Sequence, residues 1–363
     1  MKVLMLSTDE NIFKEGSEVL ARIVDYGKLV EELHVVIKSS QKINKVIGNI
    51  FLYSTNSFGV FYFWNAYRIS SSIIRNWKLE IKNCVITCQD PFELGLVGCF
   101  LKFFKSVPLQ MQVHTDFLSP YFKKGSFKNK IRVILARRII KRADNIRVVS
   151  ERIKNSLKAK SYKLKARIDV LPIFIDTQKI KDAPVNIDLH KKYPNKFIVL
   201  MASRLTKEKN IGLAIEAMVE IAKKYPQALL LVVGNGPELE KLKAISYKLR
   251  ANVIFENWSN NLSSYYKTAD LFLLTSNYEG YGRTVIEATG AGLPVVMTDV
   301  GIAIGSVYPV GSKRELIKQL GILVESKEKR LEIFKSQEKF LSFYNSKEDY
   351  LNKIKQSWQN CFL

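Results

Sequence analysis

Short apolar segments bounded by turn residues recur along the chain, and amphipathic segments separate many of them. Because hydrophobic residues fill consecutive positions of the apolar segments, they predict strands of parallel sheets that are covered on both faces. The predicted strands span residues 3–6, 33–37, 50–53, 84–87, 109–113, 146–149, 170–175, 197–202, 229–233, 253–255, 271–275, 294–298 and 321–324.

Between the strands, apolar residues return at helical spacing. In residues 18–32, for example, Val19, Ile23, Tyr26 and Val30 fall on one stripe, which predicts an amphipathic helix. Strands that alternate with helices predict an α/β fold built on doubly wound parallel sheets. The other predicted helices span residues 131–143, 210–225, 237–249, 262–269, 283–291, 313–320 and 327–359.

A polar, proline-containing segment at residues 172–195 interrupts this alternation, and the pattern then restarts. We therefore expect two Rossmann-like domains, residues 1–180 and 181–345, facing each other across a cleft. Residues 346–363 are expected to form a C-terminal helix that packs back on the first domain. Ligands of such sheets bind beyond the carboxyl ends of the strands, so the loops that follow the strands are the expected binding regions.

Composition places the chain among globular proteins, since 47% of its 363 residues are hydrophobic and 25% are charged. The sequence has no run of about 18 uncharged apolar residues, so no membrane-spanning helix is predicted. Its first residues lack the features of a signal peptide. Cys84, Cys88, Cys99 and Cys361 lack the spacing of a zinc site, and reduced thiols are typical of a cytoplasmic protein.

The net charge of +23 is unevenly distributed. Residues 102–167 contain 19 Lys and Arg against three acids, an excess of +16 that favours an anionic partner over a solvated surface. Nucleic acid, an anionic bilayer and a phosphorylated substrate all fit this charge. The aromatic segment 58–67 is either buried core or an interfacial surface, because Trp and Tyr favour membrane interfaces. Together the two segments predict peripheral association with the inner face of an anionic membrane.

A loop rich in glycine and carboxylate carries the strongest chemical signal. Glu279 and Glu287 flank Gly280 and Gly282, and the sequence after Gly282 reads as the start of a helix. Glycine lets a backbone approach a ligand closely, and a helix start presents N–H groups to an anion. Carboxylates beside such a backbone suit a ligand with both hydroxyls and phosphates, as in a nucleotide sugar. The alternative is a capping box between Thr284 and Glu287.

Two cations follow the predicted strand 197–202. Arg204 and Lys209 would lie on the loop at its carboxyl end, where they suit a diphosphate, although an ordinary exposed loop is the alternative. The order of the loops favours the binding interpretation: the basic loop comes first, Gly234-Asn-Gly236 follows the next strand, and the Glu279 loop follows later.

In this order the motifs resemble those of the retaining glycosyltransferases of family four, which have the GT-B fold. The resemblance covers roughly a hundred residues of the donor-binding domain and is more specific than any single motif. The matching segments are 204–210, 232–238, 265–270, 279–287 and 291–296.

That resemblance implies a role for each residue of the donor site. Glu279 would bind hydroxyls of the donor sugar and Glu287 those of the ribose, while Arg204 and Lys209 would neutralise the leaving diphosphate. The distal phosphate would meet the loop formed by Gly280, Tyr281, Gly282, Arg283 and Thr284. The chain has no Asp-x-Asp pair in a metal-binding context, so neither a metal nor a cofactor is expected.

The N-terminal half resembles the family more loosely. His114 matches a position where the family often has a histidine near the donor sugar, with a structural strand-end histidine as the alternative. Gly16 occupies a loop where the family commonly has two glycines, of which this chain keeps one. The acidic residue that the family usually has near residues 302–306 is absent here.

The resemblance implies retaining transfer of a hexosyl unit from a UDP- or GDP-sugar to a hydroxyl, with the leaving phosphate taking the acceptor proton. The acceptor would be a polyprenyl-linked saccharide, a glycolipid or a growing polysaccharide. A sugar-nucleotide epimerase or a phosphorylase on the same fold is the second hypothesis. A nucleic-acid-binding protein that uses residues 102–167 is the third, and the ordered donor motifs argue against it.

Overall fold

The computed structural model describes residues 1–59, 61–77, 83–159 and 164–363. The chain forms two compact units. Unit 1 consists of Met1–Leu118, Ser126–Pro172 and Glu348–Leu363, and unit 2 of Ser119–Gly125 and Ile173–Lys347. The end of the first predicted domain, residue 180, thus falls within unit 2.

Unit 1 is built on an eight-stranded sheet with the order β3-β4-β2-β1-β5-β6-β7-β8. All neighbours are parallel except the edge strand β3, which runs antiparallel to β4. The central strands are buried along nearly their whole length, which explains their continuous apolar sequences. The strands are β1 Lys2–Ser7, β2 Glu32–Ile37, β3 Asn44–Ile47, β4 Ile50–Ser54, β5 Cys84–Cys88, β6 Leu109–Val113, β7 Asn145–Val148 and β8 Arg167–Val170.

In unit 1, one helix and one strand differ from their predicted boundaries. The predicted helix 18–32 is too long, because α1 ends at Gly27, where a Cβ would lie 2.6 Å from the Ile50 side chain. The predicted strand 170–175 is also wrong, because β8 ends at Val170 and Pro172 then lacks the N–H that a sheet needs. The helices are α1 Glu18–Gly27, α2 Phe61–Trp77, α3 Glu93–Lys105, α5 Phe127–Ile139, α6 Glu151–Ala159 and α15 Lys347–Gln359.

Unit 2 is built on a six-stranded parallel sheet with the order β11-β10-β9-β12-β13-β14. The strand order reverses between β9 and β12, which are hydrogen-bonded neighbours. Such a switch point is where doubly wound sheets bind their ligands. The strands are β9 Phe197–Ala202, β10 Ala228–Val233, β11 Val253–Glu256, β12 Leu271–Leu274, β13 Val295–Thr298 and β14 Ser306–Tyr308.

Helices cover both faces of this sheet and bury two apolar clusters against it. The predicted strand 321–324 is wrong, because these residues belong to α13 and continue a helical stripe through Leu316, Leu320 and Leu323. The helices are α4 Pro120–Gly125, α7 Thr177–Asp182, α8 Leu189–Lys192, α9 Ile211–Lys224, α10 Leu239–Leu249, α11 Leu262–Thr268, α12 Arg283–Gly290, α13 Lys313–Glu325 and α14 Lys327–Glu338.

The C-terminal segment is not one continuous helix. A 3-10 helix at Lys339–Tyr344 separates α14 in unit 2 from α15 in unit 1. Within unit 1, the Tyr350 hydroxyl lies 3.1 Å from that of Tyr26, and Trp358 packs edge-on against the Tyr26 ring. Aromatic contacts therefore fix α15 against α1.

Candidate functional site

The switch point of unit 2 brings together two residues that the sequence had predicted as ligands of one donor. Lys209, from the loop after β9, forms an ion pair with Oε1 of Glu279, from the loop after β12. The Ser276 hydroxyl donates to the same oxygen at 2.7 Å. Both charged side chains are largely buried. One carboxylate oxygen of Glu279 is therefore engaged within the protein, and its orientation is fixed.

Hydrogen bonds join the two loops beneath this pair. The Thr275 hydroxyl donates to the carbonyl oxygen of Lys209 at 2.8 Å, and the Asn277 N–H donates to that of Glu208 at 2.8 Å. Asn210, which precedes α9, adopts a left-handed conformation that Asn tolerates better than most residues. These bonds give the paired charges a rigid support, which is a requirement of a preorganised site.

The glycine turn after β10 packs directly on the basic loop. A Cβ at Gly234 would lie 1.9 Å from the carbonyl oxygen of Ser203, and one at Gly236 would lie 2.4 Å from that of Leu205. The Leu205 N–H donates to the carbonyl oxygen of Asn235 at 2.9 Å. Only glycine fits where two backbones approach so closely, so this turn shapes the loop that carries Arg204 and Lys209.

Arg204 lies on the exposed part of the same loop. Its side chain is 79% exposed, and its Nη2 is 3.8 Å from Oε1 of Glu208. The structure thus brings Lys209 and Glu279 into contact, while the Arg204 guanidinium extends into solvent, where it is accessible to an anion.

Helix α12 begins at the predicted position but without the capping box. Its N-cap is Gly282, at φ 107, which provides no side-chain cap, and Thr284 lies inside the first turn. The capping-box alternative is therefore wrong. Because the N-cap residue has no side chain, it does not cover the N–H groups at the start of the helix. This favours binding of an anion at this position.

Glu287 lies one turn into α12 and is held from two sides. Nη2 of Arg283 is 3.6 Å from its Oε1, and the Tyr266 hydroxyl donates to its Oε2 at 3.1 Å. Burial and the neighbouring Glu287 carboxylate raise the pKa of Tyr266 well above its usual value, so this phenol remains a donor. Tyr266 was not predicted as a site residue. The available signal was its position within 265–270, one of the segments that resemble the family.

The loop of Gly280, Tyr281 and Gly282 packs against the turn after β13. A Cβ at Gly301 would lie 2.2 Å from the carbonyl oxygen of Tyr281, which accepts a hydrogen bond from the Ile302 N–H at 3.0 Å. The Tyr344 hydroxyl donates to that of Tyr281 at 2.6 Å. The turn therefore supports the Gly280–Gly282 loop through its backbone, and this contact needs no acidic side chain.

His114 lies in unit 1, just after β6. Its Nε2 is 2.9 Å from Oε1 of Gln112, while its buried Nδ1 has no hydrogen-bond partner among the described residues. Burial, together with the charges of Arg147 and Arg22, lowers the pKa of His114 to about 3. The imidazole is therefore neutral near pH 7, with Nε2–H donating to Gln112 and Nδ1 able to accept.

A buried guanidinium that sequence reasoning missed shares a hydrogen-bond partner with His114. Arg147 on β7 donates from Nε to the Leu171 carbonyl oxygen at 3.0 Å and from Nη2 to the Tyr350 hydroxyl at 3.2 Å. Its Nη1 is 3.4 Å from Oε1 of Gln112, the acceptor that His114 shares. An arginine inside the predicted strand 146–149 was the available signal, because an unpaired charge is costly in a sheet covered on both faces.

Gly16 also lies in unit 1, directly before Ser17, which caps α1. Its φ is 73°, and a Cβ there would meet no atom within 4 Å. Left-handed backbone, rather than close contact, accounts for glycine at this position. Within residues 1–59, 61–77, 83–159 and 164–363, no group of three or more His, Cys, Asp or Glu could hold a metal ion.

Comparison with protein families divides the chain in two. The Glycosyltransferase Family 4 model matches residues 32–179, and the Glycosyl transferases group 1 model matches residues 184–340. The second match contains all the predicted donor residues of unit 2, and the first contains His114.

Individual proteins show the same likeness. Over 238 residues the chain is 28% identical to the alpha-monoglucosyldiacylglycerol synthase of Streptococcus pneumoniae, which covers 62% of this chain and 53% of that protein. Over 151 residues it is 30% identical to the poly(glycerol-phosphate) alpha-glucosyltransferase of Bacillus subtilis. This match covers 41% of the present chain and 22% of that protein. The chain thus spans about half, or less, of the length of these relatives.

A solved structure matches along the whole chain. HepE of Anabaena, crystallised with UDP and glucose, is 19% identical with a TM-score of 0.74, and the match covers 99% of each chain. At this identity the likeness establishes the fold.

Proposed function

Since the chain belongs to the GT-B glycosyltransferases of family four, with a group 1 domain in its C-terminal half, we propose that it transfers a hexosyl unit from a UDP- or GDP-sugar to a hydroxyl group of a glycan or lipid-linked acceptor. Transfer retains the configuration of the anomeric carbon and requires neither metal nor cofactor. The observation that carries the proposal is the ion pair of Lys209 with Glu279 at the switch point of unit 2.

The donor sugar and the nucleoside are recognised by different carboxylates. Glu279 accepts hydrogen bonds from hydroxyls of the hexose, with Lys209 and Ser276 fixing its orientation. Glu287, oriented by Tyr266, accepts those from the ribose. The N–H groups at the start of α12 receive the distal phosphate, to which the helix dipole adds favourable potential.

Charge on the leaving diphosphate is neutralised by Lys209 and Arg204. As the bond to the hexose breaks, negative charge grows on the distal phosphate, and preplaced cations lower the energy of that state more than that of the bound substrate. Two fixed cations and a helix N-terminus supply this stabilisation, which supports metal-independent transfer. The distal phosphate takes the acceptor proton, so the reaction leaves free nucleoside diphosphate and a neutral glycoside.

His114 acts as a neutral hydrogen-bond acceptor. Its low pKa keeps it uncharged, Gln112 holds Nε2–H, and Nδ1 is its remaining acceptor atom. The role is thus orientation of the hexose rather than proton transfer.

The relatives support the substrate class. One is named as a glucosyldiacylglycerol synthase, another as a glucosyltransferase of poly(glycerol phosphate), and HepE binds UDP and glucose. A lipid-linked acceptor accords with association of the enzyme with an anionic membrane surface through residues 102–167, as their charge predicts. Within the described residues, no helix is both long and apolar enough to cross a bilayer.

The direct test is a thermal-shift screen against UDP-glucose, UDP-N-acetylglucosamine and GDP-mannose, followed by an assay of nucleoside diphosphate release with and without acceptor lipids. A ligand that binds the native state raises the midpoint, and the productive donor should also release its nucleotide when acceptor is present. If no sugar nucleotide raises the midpoint or is consumed, the proposal is wrong. An absorbance band of a pyridoxal Schiff base would instead favour a phosphorylase.

A further inference from the structure

An aromatic surface on unit 1 is exposed to solvent. Phe61 and Trp64 on α2 are 69% and 62% exposed, and Phe103 and Phe104 on α3 are 72% and 58% exposed. Phe100, one turn earlier on α3, is 42% exposed. These five side chains are called the aromatic patch below.

Ring contacts join the patch across the two helices, from Trp64 on α2 to the three phenylalanines of α3. Phe63 lies 5.7 Å from Phe100 between ring centroids, and Tyr67 lies 6.5 Å from Phe104. On either side, Trp64 contacts both Phe63 and Tyr67, and Phe104 contacts both Phe100 and Phe103. The half-buried Phe63 and Tyr67 thus connect exposed rings from α2 with exposed rings from α3.

The exposed rings are not the core faces of poorly packed helices. Helix α2 already buries Tyr62, Ala66 and Ile73 on its opposite side, and α3 buries Leu94 and Leu101. Each helix therefore has an apolar face in the core and a second, aromatic face in solvent. Contiguous apolar surface of this kind marks an interaction site more often than chance exposure.

Positive charge adjoins the aromatic patch. Arg68 is exposed one turn after Trp64 on α2. Helix α5 packs on α3, where Ile139 would contact a Cβ at Gly95, and it contains five Lys and Arg but no acid; one of them, Arg132, pairs with Glu93 on α3, and the other four are exposed. The same helix exposes Phe127, Ile131 and Ile134 at helical spacing, so apolar and cationic side chains alternate on its outer surface.

We propose that the aromatic patch inserts into the headgroup region of an anionic lipid bilayer, with the four exposed cations of α5 facing the lipid phosphates. Aromatic rings favour this interface, and cations near it are attracted by anionic lipids. A second copy of the chain is a poorer occupant, because it would bring two cationic α5 surfaces towards each other. This inference rests on the proposed function in one respect: a lipid-linked acceptor would place the enzyme at a membrane.

Vesicle binding separates insertion from adsorption by charge. The full chain is sedimented with vesicles of phosphatidylglycerol and phosphatidylcholine, and with phosphatidylcholine alone. Phe61→Ser/Trp64→Ser and Phe103→Ser/Phe104→Ser should each weaken binding to anionic vesicles at least tenfold. The matched control is Tyr247→Ser on α10 of unit 2, where an aromatic side chain of 88% exposure should be replaceable without effect. Equal binding by the patch variants and the control would overturn the proposal.

Trp64 reports its own insertion. Trp77 and Trp358 are buried, and Trp258 in unit 2 is the other exposed tryptophan. The experiment therefore uses a variant with Trp258→Phe, in which Trp64 is the exposed fluorophore. Anionic vesicles should shift the emission of Trp64 to the blue, and brominated acyl chains should quench it. Binding without shift or quenching would mean adsorption by charge alone and would overturn insertion. Sedimentation velocity that shows a dimer broken by the patch variants would assign the surface to self-association.

Failure of this proposal is distinguishable from failure of the proposed function. The patch variants should keep the thermal shift that wild type shows with its sugar nucleotide, because the donor residues lie in unit 2. Vesicle binding with no sugar-nucleotide binding would leave the surface intact and refute the enzyme. Nucleotide binding and transfer with no vesicle binding would refute the membrane surface and leave the proposed enzyme activity intact.

Discussion

In the proposed cycle, Lys209 holds the Glu279 carboxylate and also neutralises charge on the leaving diphosphate. The ion pair is largely buried, so its charges are poorly screened by solvent. Lys209→Ala removes the cation and leaves the Glu279 carboxylate beside the place where phosphate charge grows. We expect turnover to fall about 100-fold, or roughly 3 kcal/mol, as for loss of one preorganised transition-state contact.

Arg204→Ala should lower turnover similarly, and its exposed position predicts little change in stability. The matched control for both is Lys207→Ala, an exposed cation on the same loop. Initial rates of nucleotide release would show the difference. Near-normal turnover of both Arg204→Ala and Lys209→Ala would contradict the diphosphate assignment.

The two carboxylates should differ in what they bind. Glu287→Gln should weaken binding of the free nucleotide, because ribose contacts are shared by donor and product. Glu279→Gln should mainly lower turnover, because its proposed contacts are to the hexose. Titration calorimetry with UDP or GDP separates them: equal affinity for the nucleotide in wild type and Glu287→Gln would remove the ribose assignment.

His114 makes stability depend on pH. Its folded-state pKa of about 3 lies below the ordinary value of 6.5, so the unfolded chain binds a proton that the folded chain does not. Its contribution is therefore complete above pH 6.5 and is lost as pH falls towards 3, at up to about 1.4 kcal/mol per pH unit. His114→Gln should flatten this part of the stability curve in urea titrations. Identical slopes in both proteins would mean that His114 ionises normally when folded.

At the scale of elements, the glycine turn after β10 offers a matched pair of substitutions. Gly234→Ala would force a Cβ to within 1.9 Å of the Ser203 carbonyl oxygen, whereas a Cβ at Gly212 in α9 meets nothing within 4 Å. We expect Gly234→Ala to destabilise the protein by about 3 kcal/mol or more. Gly212→Ala should stabilise it by roughly 0.5–1 kcal/mol, because alanine favours helix. Chemical denaturation measures both, and a tolerated Gly234→Ala would show that the loops are not tightly packed.

Elements were predictable from sequence where their periodicity was sustained. Strand β9 and helix α9 lie within one residue of their predicted bounds. The apolar run 321–324 was misread because four consecutive apolar residues fit a strand or the buried turn of a helix equally well. Strand β3 was missed because an edge strand exposes Asn44 and Val46 and lacks an apolar run.

At the scale of the whole molecule, the GT-B fold and the family were predicted from the order of motifs along the chain, and both are confirmed. The pairing of Lys209 with Glu279 was not predicted, because the sequence gives the order of loops and not which oxygen meets which nitrogen. The roles of the site residues stay predictions.

The polar network around Arg147 was likewise beyond sequence reasoning, since it joins segments far apart in the chain. Arg147 on β7 holds Leu171 near the end of β8, Gln112 on β6 and Tyr350 on α15. The C-terminal helix thus completes the hydrogen bonding of a buried charge in unit 1. An incompletely paired buried guanidinium is costly, so unit 1 should depend for its stability on a residue 203 positions further along the chain.

Tyr350→Phe tests this dependence with the loss of one oxygen atom. It removes one of the two acceptors of Arg147 Nη2, the other being the Pro172 carbonyl oxygen, together with the buried partner of the Tyr26 hydroxyl, and should cost about 1–3 kcal/mol. Tyr247→Phe, which removes an exposed hydroxyl, is the control and should cost nothing measurable. Because Tyr350 belongs to unit 1, the midpoint shift produced by a bound sugar nucleotide in unit 2 should survive. If Tyr350→Phe matched wild type in urea titrations, the Tyr350 hydroxyl would not be needed to hold α15, and the Gln110–Ser357 hydrogen bonds with buried Trp358 and Ile354 would be sufficient.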